Sequence, residues 1–398
     1  MEQNLTRSSN EEWLDSVYDK ILVKMKAECD RVGAMIPFFA REGRYFDVAN
    51  TPIGIGFWTN GFWAGTLWQM YHATNDGCYR KCAEEIENRL DAILRDYTGV
   101  DHDAGFIFLL SAIADYRETG SRESRRRGIH AANLLAGRYN PNGKFIRAWN
   151  DNVADEPSTA EWMKAGGGVS GWMIVDCMMN IPLLYWASEE TKDPRYKHIA
   201  FNHAKTAQQY IVRPDGSCNH VVSIDPNTGE FIDNPGGQGY EKGSSWSRGQ
   251  SWAVYGFALS YRHTGDKSFL DTAKQCAHYC IANLAVNDWL PLVDYRAPAE
   301  PVKYDSDAAI ITACGLLEIA EHVGEHEKRF YIEAAYRILR ACDEKFCNWD
   351  PDVDSIVDGG TTFYHDPSGR TSNLPIIYGD YYFIEAVLRL KGKALFAW

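Results

Sequence analysis

The sequence predicts an all-α fold, a six-hairpin α/α barrel (α6/α6 toroid). Three observations point there. Apolar residues recur at helical spacing along almost the whole chain. Polar turns of one recurring kind separate many of the helices: HATNDGCYR, RETGSRESR, EETKDPRYK and RHTGDKSFL. Alternate helices differ in character, one apolar nearly all round and the next amphipathic.

Twelve helices are expected, near 10–29, 60–73, 77–96, 104–118, 121–137, 171–188, 194–211, 248–263, 267–284, 306–322, 327–345 and 379–391. The second, GFWAGTLWQMY, is rich in apolar and small residues. The third, RKCAEEIENRLDAILRDY, carries its charge on one side. The alternation continues through AGFIFLLSAIA, WMIVDCMMNIPLLYWA, GQSWAVYGFALSY, AAIITACGLLEIA and YYFIEAVLRL. Helices apolar all round belong inside and amphipathic ones outside. In the turns, Gly or Asp stops one helix or caps the next. Strand-like stretches are short: Asn219 to Ile224, and Asp354 to Thr362. A linear solenoid fits the repeat too, but would want more regular repeat lengths.

The chain has 398 residues, 45% of them hydrophobic, which is enough for a sizeable core. No Pro/Ser-rich linker divides it, so one domain over residues 1–398 is expected. The net charge of −13 argues against nucleic acid as a partner. No apolar run is long enough to cross a membrane. The N-terminus MEQNLTRSSNEEWLDS lacks a secretory pattern, and the ten cysteines are irregularly spaced. A cytoplasmic protein with reduced thiols, monomeric or a weak homodimer, is expected. Thirteen Trp and 22 Tyr point to stacking on sugar rings, with a large aromatic core as the competing explanation.

In a barrel the loops entering the inner helices gather at one mouth. Trp58, Asp103, Trp149, the Gly166-Gly167-Gly168 run and GGQGYEKGSSWSRGQSW all fall at such entries. Asp176 lies in the apolar stretch Met173–Met179. Burial there would raise its pKa towards a value useful to a general acid; a buried Asp bonding a neighbouring helix is the alternative. Asp103, in VDHDAGF, reads equally as an N-cap. Two acids in one cavity can divide acid and electrostatic roles. Arg248 and Gln250 open the eighth helix, and an Arg there can fork onto a carboxylate or sit in a structural ion pair. His102 and His220 are candidate donors, and Trp58 and Trp149 candidate stacking platforms. His322-Val-Gly-Glu325-His326 matches an HxxEH pattern but reads better as a solvated turn. Cys276, His278 and Cys280 lack a second ligand cluster. The Gly-rich segments fit neither a P-loop nor a dinucleotide fingerprint.

Taken in order, Trp58-Thr-Asn-Gly-Phe-Trp63, His102-Asp103-Ala-Gly-Phe106, Ala148-Trp149, Val175-Asp176-Cys177, Asp225-Pro226, Ser245-Trp246-Ser-Arg248-Gly-Gln250 and Tyr378-Gly-Asp-Tyr-Tyr382 resemble glycoside hydrolase family 88, the unsaturated glucuronyl hydrolases. The resemblance implies the same six-hairpin barrel. It implies a substrate with a Δ4,5-unsaturated uronate at the non-reducing end of a lyase-generated oligosaccharide, and no metal or organic cofactor. Asp176 matches the general acid/base that hydrates the enol ether, and Asp103 the second essential carboxylate. His220, Gln238 and Arg248 match positions near the catalytic centre and substrate carboxylate. Trp58, Trp149 and Tyr364 match contacts to the sugars.

Four features depart from the family pattern. A usual His pair is Asp101-His102 here, Gly237 stands where members favouring sulfated substrates carry Arg, Trp172 stands where Arg is common, and Ser368 and Arg370 only partly reproduce a basic loop. The competing readings are the related family 105, a sugar epimerase on the same barrel, and a non-catalytic acidic-sugar-binding protein.

Overall fold

In the computed structural model, which describes residues 2–96, 99–150, 169–367, 369 and 371–398, with side chains from residue 9 onward, twelve helices form the expected closed double ring. The expected Gly166–Gly168, Ser368 and Arg370 features lie outside the described residues. The helices are α1 (Glu2–Val32), α2 (Phe62–Thr74), α3 (Gly77–Asp96), α4, α5 (Arg122–Ala136), α6 (Pro182–Thr191), α7 (Pro194–Tyr210), α8 (Ser247–Thr264), α9 (Lys267–Ala285), α10 (Ser306–Ala320), α11 (Glu325–Phe346) and α12 (Ile377–Leu390). Helix α4 runs through Ala104–Phe108 and Ala114–Thr119 around a π-helical turn at Leu109–Ile113.

The even-numbered helices form the inner ring. Every residue of α10 is buried, as is nearly all of α12 and α8. Helix α12 packs on α2, which closes the ring. The interior is aromatic: Phe62 meets Phe106, Tyr378, Tyr381 and Tyr382, and Trp398 stacks on Tyr382. Much of the aromatic excess is therefore core.

The recurring polar turns lie at one end of the barrel, and four share one construction. Thr74, Thr119, Thr191 and Thr264 each donate a hydroxyl hydrogen bond to the carbonyl four residues back. Each hydroxyl then accepts from the backbone N–H two residues on. The residue between, Asn75, Gly120, Lys192 or Gly265, takes a left-handed conformation that ends the helix. The next residue, Asp76, Ser121, Asp193 or Asp266, accepts a backbone hydrogen bond from the first turn of the following helix.

The connections at the other end are long. They carry the β-structure: β1 (Tyr139–Asn140) pairs with β2 (Phe145–Ile146), and β3 (Trp172–Ile174), β4 (Val221–Ile224) and β5 (Phe231–Asp233) form an antiparallel sheet. The expected strand over Asp354 to Thr362 reduces to isolated bridges at Val357 and Gly360.

One element differs in kind. The helix expected over 171–188 begins only at Pro182; strand β3 and a 3-10 turn, Val175–Met179, precede it. A continuous apolar run cannot separate strand from buried helix by periodicity. Sheet pairing with β4 decides this one, and Pro182 at the helix start is the local signal.

Candidate active site

The long connections place the predicted residues around the mouth, where hydrogen bonds and ring contacts link most of them. Asp103 stands just before α4, yet its side chain makes no capping bond. Its Oδ1 instead accepts a 2.8 Å hydrogen bond from Asn180 Nδ2, and its Oδ2 lies 3.5 Å from His102 Nε2. Asn180 also donates to the Asp176 carbonyl (3.2 Å) and accepts from Phe106 N (2.8 Å). One amide thus ties the two acidic segments together. Gly105 permits it, because a Cβ there would fall 2.4 Å from Asn180 Cα.

Asp176 sits on the 3-10 turn, with Oδ2 3.6 Å from His220 Nε2. Its side chain is 19% exposed, so the burial expected from its apolar neighbours is partial: Oδ2 is buried beside His220, while Val175, Cys177, Met178 and Met179 are buried entirely. Asp103 is held unionised by its surroundings. Burial, then the charges of Asp101 and Asp176, push its carboxyl well above the usual carboxylate range, against the hydrogen bond from Asn180. Asp101 is pushed up to about 6, chiefly by burial, and its Oδ1 accepts from Asp103 N. Burial holds the His102 imidazole down at about 3, so it is neutral at physiological pH. Asp101, His102 and Asp103 are the one set among the described residues whose ligand-type atoms cluster within 4.8 Å. The Asp101 and Asp103 carboxyls each already accept a hydrogen bond, from the Asp103 N–H and the Asn180 amide.

His220 leads into β4. Its Nδ1 accepts from Gln238 N at 3.0 Å, and its ring lies 4.4 Å from that of Trp246. A Cβ at Gly237 would fall 1.8 Å from the same Nδ1, so this backbone path admits only glycine there. Gln238 donates to the Thr362 carbonyl (2.8 Å), which also accepts from Arg248 Nη2 (3.0 Å). Tyr364 N donates to the Gln238 carbonyl at 2.8 Å, and the Tyr364 ring packs edge-on to Tyr240.

Arg248 is 2% exposed, and its fork is already engaged. Nη1 donates to the Tyr378 hydroxyl and lies 3.3 Å from Asp305 Oδ2 and 3.9 Å from Asp307 Oδ2. Burial works against its charge, but Asp305, Tyr378 and Asp307 together hold its pKa above the ordinary arginine value. Of the two sequence readings of Arg248, the structural ion pair is the one observed, a cation built into the wall. A substrate contact expected at Gln250 is corrected to a structural one. It is fully buried, accepts from Cys218 N (2.8 Å) and donates to the Gly216 carbonyl (2.7 Å), so it anchors a loop.

Trp58 keeps part of its surface open, with its ring centroid 5.0 Å from that of Tyr378 and 5.4 Å from that of Phe106. The Trp149 ring centroid lies 5.9 Å from that of Trp172. The HxxEH residues do not assemble a site: His322 bonds Glu318, and the Glu325 side chain is 88% exposed. His278 pairs with the Tyr331 hydroxyl. Sequence reasoning missed Asn180, Asp305 and Asp307, which contact the site through folding and carry no local motif, and it gave Asp101 and Tyr378 no role in the site although both stand in motifs named above.

An acid pair flanked by two histidines and aromatic platforms, at the mouth of an α/α barrel, defines a carbohydrate-active hydrolase. Residues 36–288 match the family model of Glycosyl Hydrolase Family 88. The chain is 36% identical to the unsaturated glucuronyl hydrolase of Bacillus sp. (strain GL1), over 86% of this chain and 88% of that protein. It is 33% identical to the unsaturated chondroitin disaccharide hydrolase of Streptococcus pneumoniae (strain ATCC BAA-255 / R6), over 83% and 81%. The crystal structure of the unsaturated glucuronyl hydrolase from Bacillus sp. GL1, responsible for the degradation of glycosaminoglycan, superposes with a TM-score of 0.85 at 32% identity, covering 96% of this chain and 97% of that one. The chain belongs to glycosyl hydrolase family 88 and is a glycosidase.

Proposed function

We propose that the protein hydrates the C4=C5 double bond of an unsaturated uronate at the non-reducing end of a short oligosaccharide, and so releases the next sugar. The observation that carries this reading is the acid pair, Asp103 and Asp176, joined through Asn180 and flanked by His102 and His220. The names of the relatives above support the substrate class.

In the proposed reaction Asp176 gives its proton to C4. The electron pair of the double bond forms the new C4–H bond, and positive charge develops at C5, shared with the ring oxygen. Water then adds at C5 while the Asp176 carboxylate takes up its proton. The resulting hemiketal opens, the anomeric centre collapses, and the shortened saccharide leaves. Because attack falls on C5, the separation of the two carboxyls does not report retention or inversion at C1.

Asp103, unionised by burial and by its acidic neighbours, can both donate to and accept from a sugar hydroxyl. When Asp176 carries the pair's proton for delivery to C4, Asp103 is relieved of its neighbour's charge, and its carboxylate can stabilise the positive charge that grows at C5. Trp58 and Trp149 would pack on sugar faces, and Tyr364 would face the following sugar. His220, Gln238 and Arg248 form the wall proposed to meet the uronate carboxylate.

The test is a panel of lyase-generated unsaturated disaccharides, followed by the ultraviolet absorbance of the conjugated enol-ether acid. Loss of absorbance, abolished in Asp176→Asn, is the expected result. Sugar release with the absorbance retained would overturn the hydration chemistry, and binding unaffected by Asp176→Asn with no turnover in either protein would indicate a binding protein.

A further inference from the structure

Away from the mouth, three cysteines from two outer helices meet. Cys29, in the last turns of α1, is buried, and its sulfur lies 3.8 Å from Cys78 Sγ and 3.9 Å from Cys82 Sγ on α3. Cys78 and Cys82 are only half-buried. Cys78 stands in the first turn of α3, and Lys26 Nζ approaches its sulfur to 3.1 Å. The same ammonium bonds Asp76 Oδ2 at 2.9 Å, and both partners of that ion pair are open to water. Lys26 is therefore placed to pair with the charge that appears on Cys78 when its thiol ionises.

We propose that Cys78 and Cys29 form a peroxide-reactive thiol pair, with Cys78 as the nucleophile and Cys29 as the resolving thiol. Cys78 thiolate attacks one oxygen of hydrogen peroxide, breaking the O–O bond to give a sulfenic acid and hydroxide. The Cys29 sulfur then attacks the Cys78 sulfur, forming the disulfide and expelling the sulfenic oxygen as water. The pair loses two electrons, and each peroxide is reduced to two waters. The bond would tie α1 to α3 and enclose the segment that carries Trp58.

The molecule holds its own control. Cys218 and Cys276 also stand 3.8 Å apart, but both are buried. The same sulfur separation without access to solvent is expected to stay reduced. Sulfur separation alone therefore does not make the pair reactive; exposure distinguishes Cys78, and Lys26 stands at its sulfur.

The test treats the folded protein with about one equivalent of hydrogen peroxide, alkylates remaining thiols under denaturing conditions and maps the peptides. A Cys29–Cys78 linked peptide is expected, with Cys218 and Cys276 alkylated. In Cys29→Ser the reaction should stop at the sulfenic acid, so a dimedone adduct accumulates on Cys78. In Cys78→Ser the link should be absent and turnover unchanged. Oxidation of Cys218–Cys276 as fast as Cys29–Cys78, failure of peroxide to reach Cys78, or the absence of a dimedone adduct in folded Cys29→Ser would each overturn the assignment.

Discussion

The two ends of the barrel are built on different principles. At the closed end, a short sequence unit repeats and the same hydrogen bonds repeat with it: a Thr hydroxyl facing back, a left-handed residue, and an Asp or Ser cap. Each turn is satisfied locally. At the mouth nothing repeats. Asp103, Asn180 with Asp176, His220 with Gln238, and Thr362 come from four different connections, Arg248 comes from the start of α8, and hydrogen bonds such as Asn180 to Asp103 and Gln238 to Thr362 join distant parts of the chain. The closed end spends its polar groups on ending and starting helices, whereas the mouth gathers unneutralised acids at some cost in stability. Changes at the two ends should therefore separate into effects on stability and effects on turnover.

The largest effect is expected at Asp176. Asp176→Asn should lower kcat by roughly 10²- to 10⁴-fold, the range for removing a general acid/base, with little change in melting temperature. Steady-state kinetics beside a thermal melt would check both halves.

Asn180→Ala should come next and move both quantities. It removes the donor to Asp103 and leaves the buried Phe106 N–H without its side-chain acceptor, a loss of about 1–3 kcal/mol, together with a fall in kcat. A variant that kept full activity would break the idea that this amide sets the acid pair.

Asp103→Asn sharpens the electrostatic side. Since the folded Asp103 carboxyl is raised above its unfolded value, unfolding releases its proton as pH rises past about 4, the ordinary carboxylate range. This group's contribution to wild-type stability therefore falls with rising pH, up to the folded pKa. The melting temperature of Asp103→Asn relative to wild type should climb from pH 4 to pH 7, while activity is lost. A pH-independent difference would remove the strained-acid account.

The smallest effect belongs to the closed end. Thr264→Val keeps the shape but loses the hydroxyl's bonds to the Ser260 carbonyl and the Asp266 N–H. A loss of about 1 kcal/mol with unchanged kcat is expected, read by denaturant unfolding and kinetics.

The same contrast explains what could be read from the sequence. The closed end was legible because its information is local: HATNDGCYR and its three counterparts each carry their own helix stop and cap. Apolar alternation between helices likewise identified the inner and outer rings. Asp176 was legible because an acid is unusual within an apolar run, and Asp103 because it falls at a helix entry within His102-Asp103-Ala-Gly-Phe106, one of the segments that carry the family resemblance. What each acid does with its burial was not. Asp176 is partly exposed on a 3-10 turn, Val175–Met179, set by strand pairing, a non-local fact. Arg248 and Gln250 look alike in sequence as polar residues opening one helix. One lies against Asp305, Asp307 and Tyr378 in the wall, and the other is spent on the backbone at Cys218 and Gly216. Asn180 carried no signal, since its value lies in two bonds to segments far along the chain.

The most direct test of the proposed chemistry is to run the reaction in deuterium oxide and examine the released uronate product by NMR. Protonation of C4 by Asp176 followed by water attack at C5 predicts one solvent deuterium bonded to C4 and loss of the double bond. A released uronate that still carries its C4=C5 double bond, with no deuterium at C4, would contradict it and point to direct cleavage at the anomeric carbon.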